Sequence, residues 1–308
     1  MKIAVVGIGG VGGYYGGLLA KSYFDNKDVE IVFVARGSHL DEIKAKGLRL
    51  LSEKGEFTVT PDLATDDPSG CGIFDLALFC VKGYDLEESA KMLAPNISEN
   101  TIIISSLNGV DNAEKLQSIL HVGKVLNGCV YISSYVVRPG VVKQIGGFSK
   151  LFFGSESNEQ IDGKNIENIF TMANIDAEYT KEIRNIVWEK YIFISPFASA
   201  STFLDKTIRE VLDNVEGKAL LEALLEEVLL IANMEGIKFQ ENIREATIEK
   251  AYAFPSETKT SMQVDFEKGK KAELETFTGF IVKEGRKRDV AVPNHERVYA
   301  VLRKRLKI

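Results

Sequence analysis

The sequence predicts an α/β fold in two parts, a doubly wound parallel sheet over residues 1–179 and an all-helical domain over residues 180–308. Three observations predict it. Short apolar runs without polar alternation, such as Ile3 to Val6 and Phe74 to Val81, suit strands buried on both faces of a parallel sheet. The first runs straight into Gly7, Ile8, Gly9, Gly10, Val11, Gly12, a G-x-G-x-x-G pattern that a helix over Tyr14 to Leu19 can continue. From Thr180 the apolar residues recur at helical spacing, and the leucine-dense stretch Gly217 to Met234 reads as the core helix of a second domain.

The glycine roles are separable. Gly7 allows the tight turn, Gly9 lets a pyrophosphate approach the backbone, and Gly12 lets helix and strand pack closely. The helix amino end then offers unpaired N–H groups to phosphates. Strand, glycine loop and helix in this order define a Rossmann-type dinucleotide site. Val29 to Arg36 reads as the second strand, with Ser38 capping a short helix through Lys46. An acidic side chain at the end of this strand would suit NAD, whereas arginine suits the extra phosphate of NADP. The strand closes on Ala35 and Arg36, Glu30 lies at its wrong end, and Asp41 and Glu42 fall within the next helix. NADP(H) is therefore the expected cofactor; the alternative is that Arg36 is a solvated loop cation.

Leu48 to Leu51 and Glu56 to Thr60, separated by Glu53, Lys54 and Gly55, read as an antiparallel hairpin. Lys82 stands at the carboxyl end of the strand through Val81, and Asn108 and Gly109 end the strand Thr101 to Leu107. Ligands of open α/β sheets bind beyond these carboxyl ends, so both polar side chains are placed to meet one. A surface lysine and an ordinary Asn-Gly turn are the bland alternatives. Val125 to Val137, Val141 to Ile145 and Lys150 to Gly154 read as separate strands with turns at Pro139-Gly140 and Gly146-Gly147, followed by a helix Asn158 to Met172 and an edge strand Ile175 to Tyr179.

Several classes of function are disfavoured. No apolar run is long enough to cross a bilayer, and the chain opens directly on a strand, so a cytoplasmic protein with no membrane partner is expected. A net charge of −6 without a basic stripe argues against nucleic acid. Cys71, Cys80 and Cys129 form no C-x-x-C pair and His39, His121 and His295 are scattered, which points away from metal sites and histidine triads. Cys80, inside an apolar strand, reads as core.

Acid chemistry must then come from elsewhere. On a helix from Lys181, Lys190 falls among Ile183, Ile186, Val187, Phe193, Ile194 and Phe197, in the middle of an apolar stripe. A lysine held there is costly unless paired or facing a polar cavity, and burial makes the ammonium a better proton donor. The alternative is a lysine snorkelling to water. If Ala272 to Lys287 is a helix, Glu273 lies within the arc of Leu274, Phe277, Phe280 and Ile281, while Glu275 points away. Glu273 should meet a cation or a ligand hydroxyl, or form a structural ion pair. Ser261 either caps the following helix or binds a substrate carboxylate.

Taken together, the glycine pattern with Arg36, Val81-Lys82, Asn108-Gly109, Trp188-Glu189-Lys190, Ser261-Met262, Glu273 and Val290-Ala291-Val292-Pro293-Asn294 resemble the ketopantoate reductase (2-dehydropantoate 2-reductase) family over nearly the whole chain. The resemblance implies a Rossmann NADP-binding domain and a helical substrate domain with the active site between them, reducing ketopantoate to pantoate with NADPH in pantothenate biosynthesis. It also implies Lys190 as general acid, Glu273 orienting substrate or lysine, and Lys82 and Asn108 near nicotinamide and substrate. Ser261 would meet the substrate carboxylate and Arg36 the ribose phosphate. One departure stands out: asparagines usual four and eight residues after the lysine are replaced by Ile194 and Ala198. Ser195, Ser199 or Ser201 could compensate in part, and otherwise a different, less polar 2-oxo acid is expected. A dinucleotide-binding sensor without catalysis is the alternative of another class, and a homodimer through the helical domain is left open.

Overall fold

A computed structural model describes residues 1–53, 55–155 and 161–306. The chain divides into two compact units, Met1–Arg184 and Asn185–Ile308. The first contains β1 (Lys2–Val6), α1 (Gly10–Tyr23), β2 (Glu30–Val34), α2 (Gly37–Lys46), β3 (Leu48–Ser52), β4 (Gly55–Val59), β5 (Leu63–Thr65), β6 (Leu76–Phe79), α3 (Leu86–Leu93), β7 (Ile102–Ser105), α4 (Asn112–Leu120), β8 (Lys124–Arg138), β9 (Val141–Gly154), α5 (Gly163–Met172) and β10 (Ala177–Tyr179).

Its sheet runs β4-β3-β9-β8-β7-β6-β1-β2-β5, with β10 paired to β9. From β5 to β8 all neighbours are parallel. In chain order those six strands give the doubly wound pattern 3-2-1-4-5-6 of dinucleotide-binding sheets. Because side chains alternate across a strand, Ile3 and Val5 join one core with α1, α2 and α5, while Ala4 and Val6 join another with α3 and α4. Burial on both faces is why these strands read as unbroken apolar runs.

Several local expectations change. β5 pairs with β2, a three-residue edge strand too short to leave a pattern in the sequence. Gly37, at φ +61°, turns the chain out of β2 so that α2 begins there with Arg36 at its cap position, and Ser38 is not the cap. Val141 to Gly154 forms one strand rather than two, because Gly146 and Gly147, both at positive φ, make a bulge opposite the Ile132–Ser133 step instead of a chain reversal. α5 begins at Gly163, where the Asp162 carboxylate accepts from the Asn165 amide; residues 158–160 of the expected helix lie outside the described residues, as does Lys54 of the expected hairpin turn.

The second unit is all helical: α6 (Ile183–Leu204, whose first two residues still belong to the first unit), α7 (Ile208–Asp213), α8 (Val215–Met234), α9 (Ile243–Tyr252), α10 (Ser261–Glu267), α11 (Phe280–Lys287) and α12 (Pro293–Leu306). α8 is its core helix, burying Leu220, Leu221, Leu224, Leu225, Val228 and Ile231 and packing on α7, α11 and α12. Among the described residues no helix is long and apolar enough to cross a membrane, and no His, Cys, Asp and Glu cluster could hold a metal.

Candidate active site

In the first unit the candidate residues gather at the carboxyl ends of β1, β2, β6 and β7. Gly7 has φ +90°, and a Cβ there would lie 2.6 Å from the Val81 side chain. A Cβ at Gly12 would run into the Gly7 carbonyl oxygen and come within 2.9 Å of the Cys80 Cβ, so only glycine lets α1 start this close to β1 and β6. Gly9 differs: a Cβ there meets nothing. Gly9 is also the cap position of α1, no side chain caps the helix, and its first turn contains no acid. The helix end is thus open and electropositive at Gly9, flanked by Ile8, Val11 and a Gly10 whose Cβ would run into the Ser134 carbonyl, and it fits the diphosphate of a dinucleotide.

Lys82 leaves β6 in extended conformation and is half-buried at the start of a single tight turn, Gly83–Asp85. Asn108 follows β7, also half-buried, with its carbonyl accepting from the Asn112 side chain at 2.8 Å, and Gly109 at φ +108° completes the turn into α4. Arg36 is exposed at the start of α2, where its guanidinium donates to Asp85 at 2.7 Å and lies 3.7 Å from Glu88. His39, half-buried on α2, accepts the Gly140 amide on Nδ1 at 3.1 Å, and burial lowers its pKa below the ordinary 6.5. Burial pushes the Cys80 thiol far up, so it is core and not a nucleophile.

In the second unit Lys190 lies on α6 with Val187 buried one turn before it and Ile194 half-buried one turn after. Lys190 is itself half-buried, at the margin of the stripe rather than in its middle, because Ile186, Phe193 and Ile194 are only partly covered as well. Glu273 is 3% exposed. It precedes a helical segment that is not the regular helix expected over Ala272 to Lys287: Glu275–Gly279 forms a π-helical turn before α11 takes over. The Glu273 carbonyl accepts the Phe277 amide at 3.1 Å.

The wider turn shifts the backbone ladder and frees carbonyls, and α6 supplies the donors. The Tyr191 hydroxyl reaches the Thr276 and Phe277 carbonyls at 2.9 and 2.8 Å, the Ser195 hydroxyl reaches Phe277 at 2.9 Å, and Ser199 pairs with the Thr278 hydroxyl at 2.8 Å. Trp188 packs edge-on against Tyr191 and Phe280. The residue next to Lys190 therefore ties α6 to the segment that Glu273 opens. Ser195 and Ser199 are fully buried in this seam, and Ser201 bonds Thr260 at 3.0 Å, so each of the three hydroxyls has a partner within the helical unit. Ser261 is exposed in the first turn of α10, and the cap is Thr260, whose hydroxyl accepts the Gln263 amide. Sequence reasoning missed this seam, although hydroxyls at 191, 195 and 199 follow the i, i+4, i+8 spacing of one helix face. It also missed the Asp85 partner of Arg36, for which the sequence offers no signal.

A doubly wound sheet with an open glycine loop at the start of α1 defines a dinucleotide-binding fold of the Rossmann type. The family described as ketopantoate reductase PanE/ApbA matches residues 3–158, and its carboxyl-terminal counterpart matches residues 182–306. The chain belongs to the ketopantoate reductase family. It is 27% identical over 303 residues to an uncharacterized oxidoreductase, YkpB, of Bacillus subtilis, covering 98% of each chain. It is also 27% identical to the 2-dehydropantoate 2-reductase of Aquifex aeolicus, covering 96% of this chain and 94% of that one. The crystal structure of 2-dehydropantoate 2-reductase from Porphyromonas gingivalis superposes with a TM-score of 0.84 at 33% identity, covering 98% of this chain and 99% of that one.

Proposed function

We propose that this protein reduces a 2-oxo acid with NADPH, that ketopantoate is the first substrate to test, and that Lys190 is the general acid. Lys190, half-buried on the partly apolar face of α6, next to the Tyr191 that bonds the segment Glu273 opens, carries the reading. When bound, the dinucleotide would supply the hydride for the keto carbon. As the carbonyl π bond breaks, its electron pair moves to oxygen. The Lys190 ammonium stabilises that developing charge and then transfers its proton, leaving a hydroxyl. Glu273, a carboxylate removed from water, is suited to orient the lysine or a substrate hydroxyl. Gly7 to Gly12 would hold the diphosphate, Arg36 the ribose phosphate, and Lys82 and Asn108 the nicotinamide end. Ser261, with its exposed hydroxyl, is suited to a substrate carboxylate.

A second reading is favoured by a specific observation. Ile194 and Ala198 occupy the stripe of α6 that follows Lys190, and the nearby serines are committed elsewhere. Such a stripe suits a 2-oxo acid with a less polar side chain than ketopantoate. Oxidation of NADPH by purified protein, followed across a panel of 2-oxo acids, separates the readings. Turnover of another acid without turnover of ketopantoate selects the second. Lys190→Ala should lower turnover on the order of a hundredfold while dinucleotide affinity stays unchanged. Undiminished turnover in that variant removes Lys190 from the acid role, and binding of dinucleotide without turnover of any acid would leave a sensor.

A further inference from the structure

We propose that Asp85 is the residue that sets the cofactor preference, holding the Arg36 guanidinium so that the site accepts a ribose 2′-hydroxyl as well as a 2′-phosphate. This deepens the cofactor reading above and rests on Arg36 facing the ribose. The two residues are 49 apart in sequence, one ending β2 and the other closing the tight turn after β6, with β1 between those strands. Their side chains are unequal: Arg36 is 66% exposed and Asp85 only 17%. A shielded carboxylate therefore anchors a solvent-facing cation. Glu88, in the first turn of α3, puts a second carboxylate 3.7 Å from the same guanidinium.

Two anions consequently stand where an NADP-specific site would present an unshared cation. A 2′-phosphate must share Arg36 with Asp85 and sit within reach of both carboxylates, whose repulsion offsets part of its attraction to the guanidinium. A 2′-hydroxyl is a donor, and a carboxylate with two acceptor oxygens, one of them taken by Arg36, retains capacity to accept from it. Specificity is a difference between affinities, and the acids lower the affinity for the phosphorylated cofactor without opposing the other. Asp85 has no capping hydrogen bond to α3, so its carboxylate is not needed to start that helix.

The test is calorimetric titration of the full chain with NADPH and with NADH, which needs no knowledge of the oxo acid. Wild-type protein should bind both. Asp85→Asn keeps the shape and removes the charge, and should raise the ratio of NADPH to NADH affinity by about five- to tenfold, with Glu88→Gln moving it in the same direction by less. In an Arg36→Ala background the Asp85 effect should shrink without vanishing, since sharing of the cation is removed while the direct repulsion of the 2′-phosphate remains. An unchanged ratio in Asp85→Asn, with NADPH still weakened by Arg36→Ala, overturns the role of Asp85 and leaves the Arg36 reading standing. If Arg36→Ala does not weaken NADPH, the Arg36 reading fails and the proposal falls with it.

Discussion

At the start of α12 the amides of Asn294 and His295 donate to the Glu227 carboxylate at 2.8 and 2.9 Å, the Asn294 side chain adds a third bond at 2.8 Å, and the His295 ring lies 2.7 Å away. At the start of α1 no side chain caps the helix and no acid enters the first turn. Both helix ends carry N–H groups that have no partner within their own helix, and partial positive charge. One is answered from inside the chain, by a buried carboxylate on α8. The other is built of glycine and valine and left for an anion from outside. On the function proposed above, the same physical device serves stability in one unit and ligand binding in the other, and the difference lies in whether a resident carboxylate is within reach.

Removing the resident anion tests the stabilising end. Glu227→Ala strips the partner from two backbone amides and from the buried His295 ring, and should cost about 3 kcal/mol of folding stability in a denaturant titration. Dinucleotide affinity should not change. Supplying a resident anion tests the other end. Gly9→Asp places a carboxylate in the open space before α1, where nothing obstructs it, and should weaken dinucleotide binding on the order of a hundredfold by calorimetry. The same substitution provides a cap worth about 1 kcal/mol, so the melting temperature should hold or rise as binding is lost. A loss of both would mean that Gly9 is needed for the fold and would end the comparison.

The smallest effect is on pH dependence. Burial works to raise the Glu227 pKa, yet the hydrogen bonds from His295 and the Asn294 and His295 amides outweigh it and hold it below its ordinary 4.5. Burial lowers the His295 pKa below its ordinary 6.5, against the pull of Glu227. Both groups take up protons more readily in the unfolded chain, so their contribution is complete above about pH 6.5 and is lost as pH falls, first through His295 and then through Glu227. Denaturation midpoints between pH 8 and pH 4, compared with those of His295→Gln, should show the wild type losing more over the upper part of that range.

Much of the first unit was legible because its strands are buried on both faces and its glycines are demanded by contact. Ile3 to Val6 and the spacing of Gly7, Gly9 and Gly12 are local statements. Lys190 and Glu273 stood out as charges among apolar neighbours, and the structure leaves Glu273 buried while Lys190 sits at the margin. The π-turn over Glu275–Gly279 was not legible, since one extra residue per turn barely disturbs an apolar arc. Neither was the bulge at Gly146-Gly147, where the glycines that signal a reversal serve equally for an unpaired residue within one strand. Thr260 and Ser261 are both good caps by composition, and only the backbone decides which hydroxyl faces the amide.

The sequence by itself determined the class of fold, the strand and helix order around the glycine loop, and the residue types available for hydride and proton chemistry. Those follow from periodicity and steric demand, which act over a few neighbouring residues. Tertiary structure alone decided which charges meet: Asp85 with Arg36, Glu227 with the start of α12, and Tyr191 with the carbonyls of the π-turn. A hydrogen bond or an ion pair depends on atoms brought within about 3 Å, and for partners 49, 67 and 86 residues apart that proximity exists only once the chain has packed.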